Sequence, residues 1–274
     1  QVRVEGKIYG IGTKEMGIEA EAQSGSFDLL EGKKFIPYRI ITPDVSDPLF
    51  RGEGNGSVQI VSVKLSGKMP EIEHCDQLQY AHTLSVEMKL NKARVKFPWN
   101  LPALKDLKGH LFFKEGNLNL REVEGRFLHS TIDRANGIFS HLLLVPTLQI
   151  NSEGRLNLMD LPSLMKIGVS TNTFSETLSP ITSLSGTAQY QLSAKGELKP
   201  PLHFQHHGVY HLSKVRFVHS QVPFSILIGE GKVDLSNNDL QWSGAKVEFG
   251  HSSLLMNGSW RRGERSGPFE MIAR

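Results

Sequence analysis

The sequence predicts an all-β, mostly antiparallel fold built from repeated hairpins, with one or two short helices. Three observations support this prediction: apolar and polar residues alternate, short polar joints separate the alternating runs, and one series of hairpins occurs twice. Alternation gives a strand one apolar and one polar face, and short joints connect antiparallel neighbours.

The alternation predicts strands at matched places in the two halves of the chain. Val95 and Phe97 alternate with basic residues, and Val233 and Leu235 alternate with charged ones. The joints at 114–117 and 236–239 have the composition of turns, so the strands on either side are expected to form hairpins.

Helical signal is limited to two short segments. Residues 159–167 predict a helix with Asp160 as N-cap and Pro162 in the first turn. Residues 175–184 predict a second helix that is interrupted near Pro180. Each is too short to be stable without packing, so we interpret them as plugs or lids on a sheet, with irregular loops as the alternative.

Composition excludes several classes of protein. Lys and Arg number 31 and Asp and Glu number 28, so the formal charge of +3 lacks the excess expected of a dedicated nucleic-acid binder. Hydrophobic residues make up 39% of the chain, which is too many for a disordered protein. The single cysteine, Cys75, excludes an intrachain disulfide and a cysteine-based zinc cluster.

The sequence contains no candidate membrane span. Its longest apolar run, at 142–145, is far shorter than the ~20 residues that a spanning helix needs. The chain begins at Gln1 without a leader sequence, and we expect it to be an excised piece or a mature product. Any signal or anchor is therefore expected outside this chain.

An internal duplication is the most informative feature. Residues 90–132 align without a gap to residues 212–254, with 8 identities in 43 positions where composition alone gives roughly two or three. Gly56 and Gln59 have counterparts in Gly186 and Gln189 at a slightly larger offset, which implies a deletion after Pro200. Chance similarity between two amphipathic β segments is the alternative.

The duplication predicts two units that stack end to end. The first unit is assigned to residues 1–137, of which 1–54 are poorly assigned, and the second to residues 138–274, continuous with the first. Repeats of this kind cover each other's sheet edges.

Several segments of the first copy resemble the AsmA-like family, which includes the TamB and YhdP relatives of Gram-negative envelopes. The segments are 90–98, 101–113, 116–120 and 123–127. The second copy carries the pattern less completely, at 231–235, 239–242 and 247–252, and lacks Asp-Leu-Lys before its glycine. The resemblance extends from about residue 55 to about residue 260.

The resemblance implies an elongated, twisted, half-open β-groove in the periplasm. It implies tethering to the inner membrane through an anchor outside this chain, and phospholipid transport between the inner and outer membranes in outer-membrane biogenesis. The implied partners are phospholipid acyl chains, the inner membrane and an outer-membrane protein, with no nucleic acid. No cofactor and no catalysis are expected.

A groove of this kind needs an apolar face that no second layer of protein covers. About twenty strands at ~4.8 Å spacing would extend for roughly 100 Å. A face covered by protein and one covered by lipid give the same alternation, so the sequence leaves both open. Large aromatic residues without a long amphipathic helix to cover them favour the open groove.

The predicted apolar lining is drawn from both copies. It consists of Val95, Phe97, Leu111, Phe113, Leu118, Leu120, Val123, Phe127, Phe217, Val233, Leu235, Leu240, Trp242 and Phe249. Two alternatives remain: a structural or adhesive β-repeat scaffold with a protein-filled core, and a β-rich carbohydrate enzyme, for which no paired carboxylates share a strand face.

Other candidate sites have simpler interpretations. His203, His207 and His211 would share a strand face, but positions four apart lie ~13 Å apart, too far for one metal ion. His129 and His251 are matched between the copies and each precedes a serine, so we interpret them as polar turn positions rather than proton-transfer groups.

Three further groups of residues also have simple interpretations. The glycines of 52–56 lack the residues of a phosphate loop, and Cys75 lacks a neighbouring base. Arg261, Arg262 and Arg265 form a basic patch that is expected to be either a charged rim or a contact for anionic headgroups.

Overall fold

The computed structural model describes residues 2–28, 54–96, 102–165, 181–198, 203–220, 224–237, 239–249, 252–261 and 269–273. Within these residues the chain is almost entirely β-structure. The strands are β1 (Val2–Tyr9), β2 (Gly17–Ser24), β3 (Ser26–Asp28), β4 (Gly54–Lys68), β5 (Leu84–Val95), β6 (Leu104–Lys114), β7 (Asn117–Phe127), β8 (Ser130–Ser140), β9 (Thr147–Asn157), β10 (Ile181–Glu197), β11 (His203–His219), β12 (Ser225–Ser236), β13 (Asp239–Phe249), β14 (Ser252–Arg261) and β15 (Phe269–Ala273).

The described strands form one open sheet in which chain neighbours pair in order. The sheet runs from β1 through β2 and β4 to β15, and the short β3 pairs with β4 beside this path. Every pair whose register is defined is antiparallel. The prediction of an all-β, mostly antiparallel fold with an open sheet is therefore confirmed.

Packing divides the chain into two units. Unit 1 comprises residues 1–127, 134–149 and 197–201, and unit 2 comprises residues 128–133, 150–196 and 202–274. This division assigns parts of β8 and β9 to each unit. The sequence-based boundary between residues 137 and 138 stays a prediction.

Strands at equivalent positions of the two sequence copies have equivalent bounds and registers. β7 and β13 begin and end at matched positions, as Asn117–Phe127 and Asp239–Phe249. The pairing registers match as well, because Leu111 pairs with Leu120 as Val233 pairs with Trp242. Equal registers place equivalent residues of the two copies on the same side of the sheet.

Each copy contains the same backbone irregularity in its second matched strand. Lys92 in β5 has φ 55° and Lys214 in β11 has φ 52°. Gly56 and Gly186 each lie against this irregularity with φ 116° and 112°. A Cβ atom at Gly56 would lie 2.5 Å from the Ala93 Cα, so no other residue fits there without backbone movement.

A second irregularity explains an apparent break in the alternation. Leu120 and Val123 are an odd number of residues apart, so uniform alternation would place them on opposite faces. Glu122, between them, has φ 50°, and the matched Gly244 has φ 61°, where the register of β13 with β14 also shifts. Such a bulge returns the following apolar residues to the same face.

An apolar row crosses six neighbouring strands in unit 1. Paired residues point to the same side of a sheet. Exposure falls from 66% at Val4, on the edge strand, to 8% at Phe113. The row runs, pair by pair, through Val4, Ala22, Val63, Val86, Phe113 and Leu118.

Of the two predicted helices, the one near residues 159–167 is confirmed, and the one at 175–184 is wrong for its last four residues. A 3-10 turn at Leu158–Asp160 continues into the helix Leu161–Met165. Asn157, not Asp160, caps the turn, with its side chain accepting a hydrogen bond from the Met159 amide. Of the predicted helix at 175–184, residues 181–184 belong to β10, since they continue its ladder, and the others lie outside the described residues.

Two further helical segments lie between β4 and β5, at Met69–Glu73 and Leu78–Thr83. The part of the chain that the structure describes contains no helix with the length and apolar character needed to cross a membrane.

Candidate functional site

The candidate surface is the apolar face of the strands, taken in each unit separately. In unit 1 the structure places Leu111, Leu118 and Leu120 on this face half-buried, and Phe113 and Val123 buried. Val95 and Phe127 lie on the same face, each paired with Leu104. Phe97 lies outside the described residues.

The predicted lining residues of the second copy also share one face. Val233 pairs with Trp242 and Leu235 pairs with Leu240. Phe217 pairs with Ile226, and Phe249 stacks on Phe224 with ring centroids 6.0 Å apart. All six predicted lining residues of this copy are half-buried. We call the set on β11–β13 the unit 2 apolar face: Tyr210, Leu212, Val233, Leu235, Leu240, Trp242, Ala245 and Val247.

The two copies differ in how far their apolar faces are covered. In unit 1 the segment 69–83 buries Ala81 and Thr83, and a Cβ at Gly67 would lie 2.9 Å from the Thr83 Cγ2. Next to this segment Leu84 and Val86 are each 7% exposed. The segment therefore covers this end of the unit 1 apolar face.

The second copy has too few residues between the equivalent strands to form a segment of this kind. β10 ends at Glu197 and β11 begins at His203, so far fewer residues connect them. The position of Leu84 is taken by His206 and that of Val86 by Gly208. Among the described residues, the unit 2 apolar face is thus both less filled and less covered than that of unit 1.

Two aromatic rings of unit 2 lie over glycines. A Cβ at Gly208 would lie 2.7 Å from the Tyr210 ring and 2.8 Å from its hydroxyl oxygen, and a Cβ at Gly258 would overlap the Trp242 ring. Tyr210, Val233, Trp242 and Gly258 are paired in sequence across four strands. The glycines therefore provide the space in which the rings lie flat on the sheet.

Burial raises the pKa of both tyrosines of this region. It raises the pKa of the Tyr190 phenol, although a hydrogen bond with Ser152 acts in the opposite direction. It also raises the pKa of Tyr210, with a smaller contribution from Tyr190. The Tyr190 hydroxyl contacts the Ser152 hydroxyl at 3.2 Å and donates to the Thr131 carbonyl at 3.3 Å. Both phenols remain protonated at neutral pH.

A buried carboxylate holds the turn between β7 and β8. Asp160 is 2% exposed and accepts hydrogen bonds from the His129 amide (2.9 Å), the His129 Nδ1 (2.7 Å) and the Ser130 hydroxyl (2.6 Å). The Ser130 hydroxyl in turn accepts from the Asn157 amide at 3.0 Å. The interpretation of His129 as a turn position agrees with this structural arrangement.

The pKa of the Asp160 carboxyl lies below its ordinary value. Burial by itself raises this pKa, but the hydrogen bonds from Ser130 and His129 together outweigh it. The sequence did not reveal this cluster, because Asp160 lies 31 residues from His129 and only the fold brings them together.

The other candidate residues do not form a reactive site among the described residues. His207 lies 3.4 Å from the Asp234 carboxylate, and no group of three metal-ligating side chains occurs within the described ranges. Burial, followed by the charge of Asp76, raises the pKa of the Cys75 thiol. A raised pKa leaves the thiol protonated and a poor nucleophile at neutral pH.

The remaining two groups belong to strand ends. Gly54 and Gly56 begin β4, and Gly52 lies outside the described residues. Arg261 donates to the Asp239 carboxylate at 2.9 Å, across the β13–β14 pair, as a charged rim requires. Arg262 and Arg265 also lie outside the described residues.

A depression of about 540 Å³ in unit 2 is lined by residues of strands β12–β15. Its charged and amide side chains belong to strand positions that alternate with the apolar lining. It is lined by Lys232, Asp234, Gln241, Trp242, Ser243, Asn257, Gly258, Ser259 and Glu270. Most of these lining residues carry charged, amide or hydroxyl side chains, and Trp242 is the large apolar residue among them.

A scan against protein-family models, a search of the curated proteins and a search of the solved structures each found no match to this chain.

Proposed function

We propose that this chain is a lipid-binding segment of an AsmA-like periplasmic protein that conducts phospholipid between the inner and outer membranes. In this proposal the acyl chains lie on the apolar face of the sheet, and the rest of the protein tethers it to the inner membrane. No chemical step is involved, so the segment is not an enzyme. Its role is in the transport that builds the outer membrane.

The observation that carries the proposal is a duplicated apolar face on an open sheet. Within the described residues, every strand belongs to the same sheet, so no second sheet packs on this face. Among the described residues the largest fully buried side chains are Leu142, Thr83 and Ser130, and the most buried aromatic residues, Phe113 and Tyr190, are each still 8% exposed. The aromatic rings of a protein-filled core would be expected among the most buried residues.

Burial of hydrocarbon provides the driving force. Covering apolar area contributes about 25 cal/mol per Å², whether the covering group is protein or an acyl chain. An acyl chain needs no specific hydrogen bond, which suits a face formed by Leu, Val and aromatic residues. The resemblance of the sequence to the AsmA-like family supports the periplasmic setting.

A structural or adhesive scaffold is the second candidate. The observation in its favour is the covered end of the unit 1 apolar face, where Leu84, Val86 and Phe113 are buried by the chain itself. If unit 2 were covered in the same way by other protein, the apolar face would have only a structural role.

Lipid content of the purified protein separates the two candidates. We expect native mass spectrometry and lipid extraction to find phospholipid bound to the wild-type chain. Leu235→Glu places a charge on the unit 2 apolar face and should reduce the bound phospholipid at least about fivefold, because a carboxylate is costly to cover with hydrocarbon.

The matched control is Gln241→Glu, which adds the same charge to the exposed polar face of the neighbouring strand. It should retain wild-type lipid content, and thermal unfolding of both variants should show that they are folded. A lipid-free wild-type monomer, or equal lipid content in folded Leu235→Glu, would contradict the proposal.

A further inference from the structure

On the unit 2 apolar face, two polar groups have no hydrogen-bond partner among the described residues. The Tyr210 hydroxyl and the Trp242 indole N–H make no hydrogen bond to any residue that the structure describes. Tyr190, by contrast, uses its hydroxyl within the protein. Tyrosine and tryptophan usually find a hydrogen-bond partner for these groups where they are buried.

Tyr210 has aliphatic neighbours on the β12 side, and Tyr190 is close enough to contribute to its raised pKa. Its hydroxyl lies over Gly208, which pairs with Leu235, and Tyr210 itself pairs with Val233. Lys232 belongs to the same hairpin and comes directly before Val233. Because successive strand residues point to opposite faces, Lys232 lies on the polar face, away from the Tyr210 hydroxyl. A neutral hydrogen-bond acceptor therefore fits beside the hydroxyl better than a phosphate does.

The first copy lacks these donors. Met88 stands at the position of Tyr210, Val86 at that of Gly208 and Leu120 at that of Trp242. Met88 pairs with Leu111 as Tyr210 pairs with Val233, so the positions are equivalent in the sheet. The exchange of Val86 for a glycine is what leaves space for the Tyr210 ring. The Tyr210 hydroxyl, the Trp242 indole N–H and Gly208 are thus specific to the second copy.

We propose that the unit 2 apolar face recognises acyl esters, with the Tyr210 hydroxyl donating a hydrogen bond to an ester carbonyl oxygen of the bound lipid. This inference rests on the proposed function, since it names the lipid class that the same face binds. The acyl chain covers Val233 and Leu235, and its ester group lies at the Tyr210 hydroxyl. The Trp242 indole N–H provides a second donor on the same cross-strand row.

The ester carbonyl is the acceptor that separates common lipids from close analogues. A diether phospholipid has the same headgroup and chains as a diester phospholipid but lacks the carbonyl oxygens. Its ether oxygens are weaker hydrogen-bond acceptors. The diether lipid therefore loses the contribution that the Tyr210 hydroxyl makes to binding. Hydrophobic burial is the same for both lipids, so the comparison isolates one hydrogen bond.

The experiment compares the two lipids on the full chain. Binding is measured with vesicles of diester or diether phosphatidylcholine of equal chain length. The wild-type chain should bind the diester lipid roughly three- to tenfold more tightly, the range of a single net hydrogen bond. Tyr210→Phe should bring this ratio close to one by weakening diester binding while leaving diether binding unchanged.

Two further variants complete the test. Gly208→Ala should also reduce the ratio, because the added methyl would lie 2.7 Å from the Tyr210 ring and displace it. Tyr80→Phe, which removes a hydroxyl from the segment that covers unit 1, should keep the wild-type ratio. Equal binding of both lipids by the wild-type chain would overturn the inference and leave the proposed function intact. Absence of binding to either lipid would overturn the proposed function itself.

Discussion

Replacing Asp160 by alanine is expected to lower the free energy of unfolding by about 3 kcal/mol. The buried carboxylate accepts three hydrogen bonds from His129 and Ser130, and alanine leaves these donors without their acceptor. Urea unfolding of both proteins at neutral pH measures the difference. Asp133→Ala is the control, because among the described residues the exposed Asp133 accepts a hydrogen bond from the Thr131 hydroxyl alone, and it should change stability by less than about 0.5 kcal/mol.

The Asp160 contribution should also depend on pH in a defined direction. Because the pKa of this carboxyl is lower in the folded than in the unfolded chain, its stabilising effect is fully present above the ordinary carboxyl pKa of about 4. It is lost as the pH falls through the folded-state pKa. The difference in unfolding free energy between wild type and Asp160→Asn should therefore be constant near neutral pH and shrink below about pH 4. A difference that grows on acidification would contradict this assignment.

Gly186→Ala is the second change with a large expected effect, about 3 kcal/mol in the free energy of unfolding. The added Cβ would lie 2.6 Å from both the Lys214 carbonyl oxygen and the Val215 Cα, which are backbone atoms and cannot rotate away. The positive φ of 112° adds strain for any residue with a side chain. Gly56→Ala should cost a similar amount, because the matched Lys92 and Ala93 surround it in the same way.

The control for this prediction separates strain from steric conflict. Gly244 also has positive φ, but an added Cβ there meets no atom within 4 Å. Gly244→Ala should therefore cost only about 1 kcal/mol, from backbone strain alone. Thermal or urea unfolding of the three variants provides the comparison. If Gly186→Ala were no more destabilising than Gly244→Ala, the close contact between Gly186 and the neighbouring bulge would not contribute to the loss of stability.

Repetition is the reason why so much of the fold could be predicted. Gly56 and Gly186 were matched from the sequence at an offset different from that of the hairpins, and the structure shows both against the same bulge of the following strand. The alternation of apolar and polar residues that predicts a strand is visible within a few neighbouring residues. In a duplicated sequence the same alternation occurs at two equivalent places, which strengthens the prediction. Each strand and its hairpin partner follow from residues close together in the chain.

Alternation also largely predicted which residues share the apolar face, with one feature that periodicity alone does not provide. Val123 shares a face with Leu120 only because Glu122 adopts a left-handed conformation, and nothing in the identity of a glutamate indicates this. Gly244, in the second copy, was a better signal, since a glycine within a strand often marks a bulge. Phe97 stays a prediction, because it lies outside the described residues.

The amino-acid sequence by itself determined the all-β class, the hairpin order and the duplicated two-faced strands, because these depend on interactions between residues that are neighbours along the chain. Only the tertiary structure decided that Asp160 anchors the turn at His129, that the segment 69–83 covers one end of the unit 1 apolar face, and that Tyr210 lies over Gly208 with no hydrogen bond from its hydroxyl to a described residue. These features arise from contacts between side chains and backbone whose spacing depends on bulges and register, and local alternation carries no information about either.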